Sequence, residues 1–524
     1  MSGGESVAHG AGRSRGLRRT WSGGSRGVTV LALAVASGCS YRPARFALAP
    51  PVERADDERA VAMPKPRTFF PTFFEADVYV RRELVNMLDP KRTPAAVDVN
   101  QLDDVVASSW YSPPRLADKP LKGYTRNGPP VPPFTAIDEP PSSETPGVRV
   151  VIDARGIRYE LLSDLAGRRG MRTGAAATAS RLAFALGYET PEVHVTTTPD
   201  GERVAATQWP VGVDLGPTSI AHTRADDPND RLDPRDRRSL RALRLVGAWL
   251  DFKRFAPRML RDAYAGKPGE GHVRHYLVGL DGALGVDRYR DAVQWVLDKD
   301  REDSNFFLRL FSLGLSPKPA AYMPETPWPS VGLYEEFATP SEYSPSPPFE
   351  PGDRLLPADA YWAAKRIAAV SQRILGRAVI SSHLGAPEQN WLLQLLAARR
   401  AQVVAWGFDR TTPLEVATLA TSVNEAGAGV LELVDLAIDS GVAKARHMSY
   451  AVRFLASDGS ELERRDDLRP EKARLSVALP SAAAAHDYVV VHVRGYRRGR
   501  PLPNAFEAHL RQGPLGFRLV GVRH

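Results

Sequence analysis

At 524 residues the chain exceeds what one compact core accommodates, so two or three domains are expected. Its composition, 43% hydrophobic and 25% charged, is that of a folded protein, while 44 prolines and 42 glycines point to long irregular connections. Of the net charge of +8, residues 1–38 supply half through five arginines against one acid, and no basic stripe with interleaved aromatics follows. A nucleic-acid partner is therefore excluded as an expectation.

The arginines end at Arg26, and the apolar run Val28–Ala36 (VTVLALAVA) leads through small residues to Cys39. That order is a secretory signal peptide, because so short an apolar run cannot cross a hydrocarbon core of about 30 Å as a helix. The stretch Ala36–Cys39 (ASGC) resembles the lipobox of bacterial lipoproteins, which implies a covalent lipid on Cys39 and anchorage to a membrane surface. Cys39 is also the only cysteine, so no intramolecular disulfide can form and hydrophobic cores must hold the domains. Ser40 follows it rather than Asp, which by analogy with enteric bacteria points to the outer membrane rather than the inner.

Residues 39–147 read as a tether and a proline-rich segment, with helical spacing at Ala76–Leu88 and a linker or extended wrap at Gly128–Gly147. From Val148 the pattern becomes α/β. A hairpin turns at Ala154–Gly156, a helix over Thr173–Gly187 stops at its glycine, and a second helix spans Asp233–Leu250 with Pro234 in its first turn. His272–Leu280 (HVRHYLVGL) reads as a strand, its buried part His275–Val278 running into a glycine-rich turn. The proline-rich stretch Pro324–Pro357 is a lid, a strap or a linker, and amphipathic helices follow at Asp359–Leu375 and Asn390–Gly407. After Pro413 the period changes to two, with six or so strands and no helix, so residues 416–524 are expected to form a β-sandwich. The fold class is therefore α+β: an α/β domain over 148–415 followed by an all-β sandwich.

Local chemistry is sparse. His272 and His275 sit three apart on a strand and face opposite ways, so they read as strand histidines with local partners and not as metal ligands. Gly167–Ala175 (GRRGMRTGA) puts Arg168, Arg169 and Arg172 before a helix, where anions can bind, but a solvated basic loop is the preferred reading.

Two stretches carry a resemblance. Arg244–Asp262 (RLVGAWLDFKRFAPRMLRD) followed by His275–Gly285 (HYLVGLDGALG) resembles uncharacterised bacterial exported proteins with an atypical protein-kinase-like fold, distantly similar to toxin-type and spore-coat kinases. The resemblance covers about residues 95–524 and implies a two-lobed kinase-like domain. Its catalytic positions are not kept. Leu162 takes the lysine position and Ala176 that of its glutamate partner. Arg254 replaces the catalytic-loop aspartate, Met259 the metal-binding asparagine, and Gly279 the metal-binding aspartate. Phosphoryl transfer needs such charges and oxygens. The expectation is accordingly a degenerate, pseudokinase-like chain without catalytic, metal or cofactor residues.

Asp251 and Asp281 lie beside the lost positions. With Arg254 they form the one residual site, in which Arg254 pairs with Asp251 or Asp281 or holds an anion. The function expected is a membrane-anchored envelope lipoprotein that binds or scaffolds an envelope protein. The alternatives are an extracytoplasmic phosphotransferase with relocated acids, and a glycan-binding protein, to which Trp328 and Trp362 lend a weak signal.

Overall fold

The computed structural model describes residues 45–68, 93–113, 121, 124, 127–139, 141, 147–208, 212–252, 254, 259–336 apart from 304–324, 338–421 and 429–524, and only the backbone over 295–303. The signal-peptide reading, Cys39 and the helix expected over Ala76–Leu88 lie outside the described residues. Residues 42–524 form one compact unit.

An antiparallel sheet in the order β1-β2-β3-β5-β4 opens the α/β region, from β1 (Thr135–Ala136), β2 (Val148–Ile152), β3 (Arg158–Ser163), β4 (Val193–Thr197) and β5 (Arg203–Gln208). The expected hairpin is β2–β3, and the proline-rich stretch before it is a wrap, since β1 adds to the sheet edge. Helix α1 (Met171–Leu186) lies on this sheet. It is alanine-rich and buried almost all round, which lets its backbone approach the strands closely. Gly187 ends it at φ 105°, where a Cβ would lie 2.6 Å from the Tyr111 ring.

Beyond β6 (Val213–Pro217), the helix expected over Asp233–Leu250 is broken. A 3₁₀ turn at Pro234–Asp236 is followed by α2 (Arg238–Arg241) and α3 (Leu243–Leu250), because Arg237 is extended and the Asp233 carboxylate caps the turn at the Arg235 N–H. Strands β7 (Leu260–Ala265) and β8 (His272–Leu277) complete a small β6-β7-β8 sheet. Helix α4 (Val286–Asp303) comes next. After the short α5 (Glu350–Asp353), the helix expected over Asp359–Leu375 divides into α6 (Pro357–Ala368) and α7 (Gln372–Ile380), since Ser371 accepts from the Ile374 N–H and starts a new helix. Helix α8 (Ala386–Phe408) crosses α6 closely: a Cβ on Gly407 would meet Ala364 Cβ at 2.6 Å. Trp249, Leu245, Trp362, Ile367, Leu396 and Val403 belong to the large core between these helices.

Of the stretch Pro324–Pro357, the described part is a strap. Leu333 donates to Gly285 O at 3.0 Å, Ala338 to Gln402 Oε1 at 2.9 Å, and the Tyr334 hydroxyl to Trp249 O at 2.7 Å. The supposed tether is likewise fastened along the body where it is described: Val61 N–H donates to Gly271 O at 2.8 Å and Arg67 N–H to Leu215 O at 2.7 Å.

The C-terminal region is all-β apart from short turns and α9 (Leu436–Asp439), which Asp435 caps. One sheet is β13-β10-β9, from β9 (Leu414–Thr421), β10 (Gly429–Asp435) and β13 (Arg474–Ala478). The other is β12-β11-β14-β16-β17, from β11 (Met448–Ala456), β12 (Glu461–Leu468), β14 (Tyr488–Arg497), β16 (Phe506–Gly513) and β17 (Gly516–Arg523), with β15 (Arg500–Pro501) on β14. Alternate residues face one core: Leu431, Leu433, Val477 from the first sheet, Val452, Val491, Phe506 from the second. His524 joins this end to the helices. It stacks on Tyr361 at 3.9 Å, and its ring nitrogens reach Asp103 Oδ2 at 2.7 Å and Leu414 O at 2.9 Å.

Candidate functional site

Strand β8 runs out at Leu277, and the Val278 N–H donates to Met259 O at 2.8 Å. Gly279 then takes φ 69° and turns the chain into a 3₁₀ turn at Leu280–Gly282. A Cβ at Gly279 would meet only Met259 Cγ, at 3.7 Å, so the glycine answers to backbone conformation and not to lack of space. Met259 and Gly279 are therefore neighbours, and their side chains offer a thioether and nothing.

Leu162 and Ala176 are likewise brought together. Both lie in a small apolar cluster between β3, α1, β4 and β5, with Ala177, Val193, Val195 and Ala205. One turn before Ala176, the same helix sends Arg172 to the turn after Gly279. Its Nη2 lies 3.0 Å and its Nε 3.4 Å from Asp281 Oδ2, and its Nη1 donates to Ser163 O at 3.3 Å. Asp281 is thus tied to the helix and to the end of β3.

The two other candidate residues part company. Asp251 caps α3 in the left-handed conformation, φ 51°, with its side chain fully buried. It faces Arg288 Nε at 2.7 Å and Arg399 Nη2 at 3.8 Å. Arg399 also donates to Trp249 O at 3.0 Å and to Ala248 O, neutralising the carbonyl end of α3. Arg254, expected to pair with Asp251 or Asp281, pairs instead with Asp291 Oδ1 at 2.8 Å and approaches Asp287 Oδ1 at 3.7 Å. The reason is competition: Arg288 and Arg399 already hold Asp251, and Arg172 holds Asp281.

Asp287, in the first turn of α4, is the residue sequence reasoning passed over. Its carboxylate sits against Gly282, and burial, then the neighbouring charge of Asp281, push its pKa up to about 6. The signal was present in the alternating charges of Asp287, Arg288, Arg290 and Asp291 at the start of a helix. Among the described residues, no group of three or more His, Cys, Asp or Glu is arranged to hold a metal ion.

The basic loop before α1 is neither an anion site nor solvated throughout. Asp164 accepts from the N–H groups of Gly170, Arg172 and Thr173 at 2.7, 3.0 and 2.9 Å, so the helix N-terminus is capped from within. Arg168 donates to the Tyr289 hydroxyl at 2.8 Å, while Arg169 is exposed. His275 is a strand histidine with a partner, as expected: its Nδ1 lies 2.8 Å from Asp262 Oδ1, and Trp110 stacks on it at 3.7 Å. Trp362 is a core residue whose Nε1 donates to Asp104 at 2.7 Å, and Trp328 packs against the same core.

No protein-family model matches the chain, and no curated protein matches it. Among solved structures it is similar to a Helicobacter pylori proinflammatory kinase, CtkA, at 13% identity and a TM-score of 0.30, over 51% of this chain and 94% of that one. The likeness is partial and distant, and it carries no statement about descent or activity.

Proposed function

We propose that this chain is a membrane-anchored envelope lipoprotein, lipidated at Cys39, whose kinase-like region is non-catalytic and serves to bind another envelope component. The observation that carries the reading is the pairing of Asp281 with Arg172 at 3.0 Å. The carboxylate nearest the expected metal position is neutralised by a buried guanidinium, while Leu162 and Ala176 fill the lysine and glutamate positions with hydrocarbon. A phosphate-binding cleft requires the opposite arrangement, with free acids for Mg²⁺ and a free cation for the phosphates.

The test is a thermal-shift titration with ATP, with and without Mg²⁺ or Mn²⁺. A ligand that binds only the folded state at 100 times its dissociation constant adds about 2.7 kcal/mol, an easily read shift. No shift at millimolar nucleotide is the expected result. The anchor is tested separately: the wild-type chain should fractionate with outer membranes and Cys39→Ser should not.

A second reading has one observation in its favour. Burial, and then the nearby charge of Asp281, raise the pKa of Asp287 to about 6, and paired carboxylates are what a relocated divalent-metal site would use. A metal-dependent nucleotide shift that disappears in Asp287→Asn would establish this phosphotransferase reading in place of the first.

A further inference from the structure

Where the N-terminal segment, the start of α2 and the end of β17 meet, the fold forms a half-open cavity of about 710 Å³, a size ordinary for small-molecule sites. Part of its wall is aliphatic, from Val52, Val97, Val99, Val106, Leu232 and Val522, beside the polar Asn100, Gln101 and Ser108. Phe46 supplies the one phenyl ring among the described residues of the lining, and that ring is already engaged. It covers Gly521 and stands edge-on to His509 at 4.8 Å. The His524 imidazole in the lining is taken as well, stacked on Tyr361 at 3.9 Å, so a nucleobase or a sugar would find no open ring among the described residues.

The polar part of the lining is unequal. Asp98 and Asp103 are consumed inside the fold. Asp98 accepts from the Arg238 N–H at 2.6 Å and from the Ser239 N–H and hydroxyl at 3.1 and 2.7 Å. Asp103 accepts from Arg238 at 2.7 Å and faces His524 at 2.7 Å. Arg237 is not so provided for. It is 2% exposed, lies over the Trp110 ring at 4.9 Å, and meets Asp230 through Nη2 at 3.4 Å, while its buried Nε has no hydrogen-bond partner among the described residues. Buried donors of a charged group are nearly always satisfied, so an orphaned one on a cavity wall marks a place for an acceptor. Arg523 adds a second, exposed cation to the lining.

We propose that this cavity binds an aliphatic chain bearing one anionic group, with the chain along the valine wall and the carboxylate or phosphate at Arg237. A free fatty acid and a phospholipid share that chemistry. The site is separate from the Asp281 turn and does not rest on the function proposed above.

The test uses the protein from Ser40 onward, which keeps the whole compact unit beginning at Arg42. Calorimetric titration with laurate should show one site per chain, and dodecanol should bind at least about tenfold more weakly, the effect of roughly one lost charged contact. Ala96→Trp, which fills the cavity from its wall, should abolish laurate binding. Arg237→Gln should bring laurate down to dodecanol. Because Arg237 also packs on Trp110 and its loss can disturb folding, Arg523→Glu at an exposed position gives the second reading of charge and should weaken laurate alone.

Equal affinity for laurate and dodecanol, no binding of either, or laurate binding indifferent to Ala96→Trp would each overturn the assignment. Vesicles of phosphatidylethanolamine with and without phosphatidylglycerol separate the sources. Extraction of phosphatidylglycerol into the protein assigns a phospholipid, and laurate binding without extraction assigns a free acid.

Discussion

Arg172 on the first turn of α1 and Asp281 beyond β8 form an ion pair across 109 residues of sequence, at 3.0 Å and with both side chains almost entirely shielded from water. Through its third contact, to Ser163 O, the same guanidinium also holds the end of β3. One side chain thereby fixes a strand, a helix and a turn relative to one another.

Breaking that pair should be costly in an asymmetric way. Asp281→Ala leaves a buried guanidinium without its carboxylate, and about 3 kcal/mol of stability should be lost. The double variant Arg172→Met with Asp281→Leu should recover most of it, because two hydrocarbon side chains have no charge to desolvate. Urea denaturation of the two variants checks this. If the single variant is as stable as the parent, the pair does not hold the turn.

Gly279 tests a different force. Its left-handed backbone disfavours residues with a Cβ by about 1–2 kcal/mol, with asparagine the mildest exception. Since Met259 Cγ would be 3.7 Å from a new Cβ, the space is adequate and only conformation should matter. The expected order of stability is glycine, asparagine, alanine, valine, measured by thermal melts. An aspartate introduced here as a would-be metal ligand should fall near asparagine and confer no metal dependence.

The pH dependence of stability should contain two opposed contributions. Burial and then Asp281 raise the pKa of Asp287 to about 6, so its folded form binds a proton that the unfolded form has released. Stability from this group is complete below about pH 4 and is lost as pH rises through about 6, by roughly 3 kcal/mol. Asp287→Asn should remove that slope and stabilise the protein at neutral pH.

Asp262 behaves oppositely. Burial alone would raise its pKa, but His275, Thr218 and Arg224 outweigh burial and hold it down to about 2. Its contribution is present above about pH 4 and is lost as pH falls toward 2. Melting curves of the parent and of Asp262→Asn between pH 2 and 5 should converge at the acid end.

The Phe46 ring lies flat against Gly521, where any Cβ would enter the ring. Arg523 lies over the same ring at 5.1 Å, and the Phe46 N–H donates to the Tyr488 hydroxyl at 2.9 Å. Gly521→Ala should therefore expel Phe46 and release the segment that follows it. Limited proteolysis should then cut near residues 45–55 while the sandwich stays intact. An unchanged cleavage pattern would mean that the segment is held elsewhere.

Several elements were legible because their cause is local. The β2–β3 hairpin follows from alternation around a turn, the end of α1 from Gly187, and β11, β14 and β17 from strand-like sequence between turn residues, although β11 and β14 bury most of their residues and not alternate ones. Where a competing local cap was overlooked, the reading ran long: Ser371 divides α6 from α7, and the extended Arg237 divides the 3₁₀ turn from α2. Strand β12 (ELERRDDL) escaped notice because it is an edge strand whose charges face water on both sides, so no hydrophobic alternation betrays it.

What the sequence determined by itself is therefore the β2–β3 hairpin, the end of α1, the α/β-then-β order, and the chemical poverty of Leu162, Ala176, Met259 and Gly279, for a side chain's functional groups do not depend on its neighbours. Only the tertiary structure decided which charges meet. Arg254 faces Asp291 and Asp287, Arg172 faces Asp281, and Arg288 and Arg399 share Asp251. An arginine's partner is the carboxylate that packing brings within about 4 Å in a place shielded from water, and neither distance nor shielding is written in sequence separation.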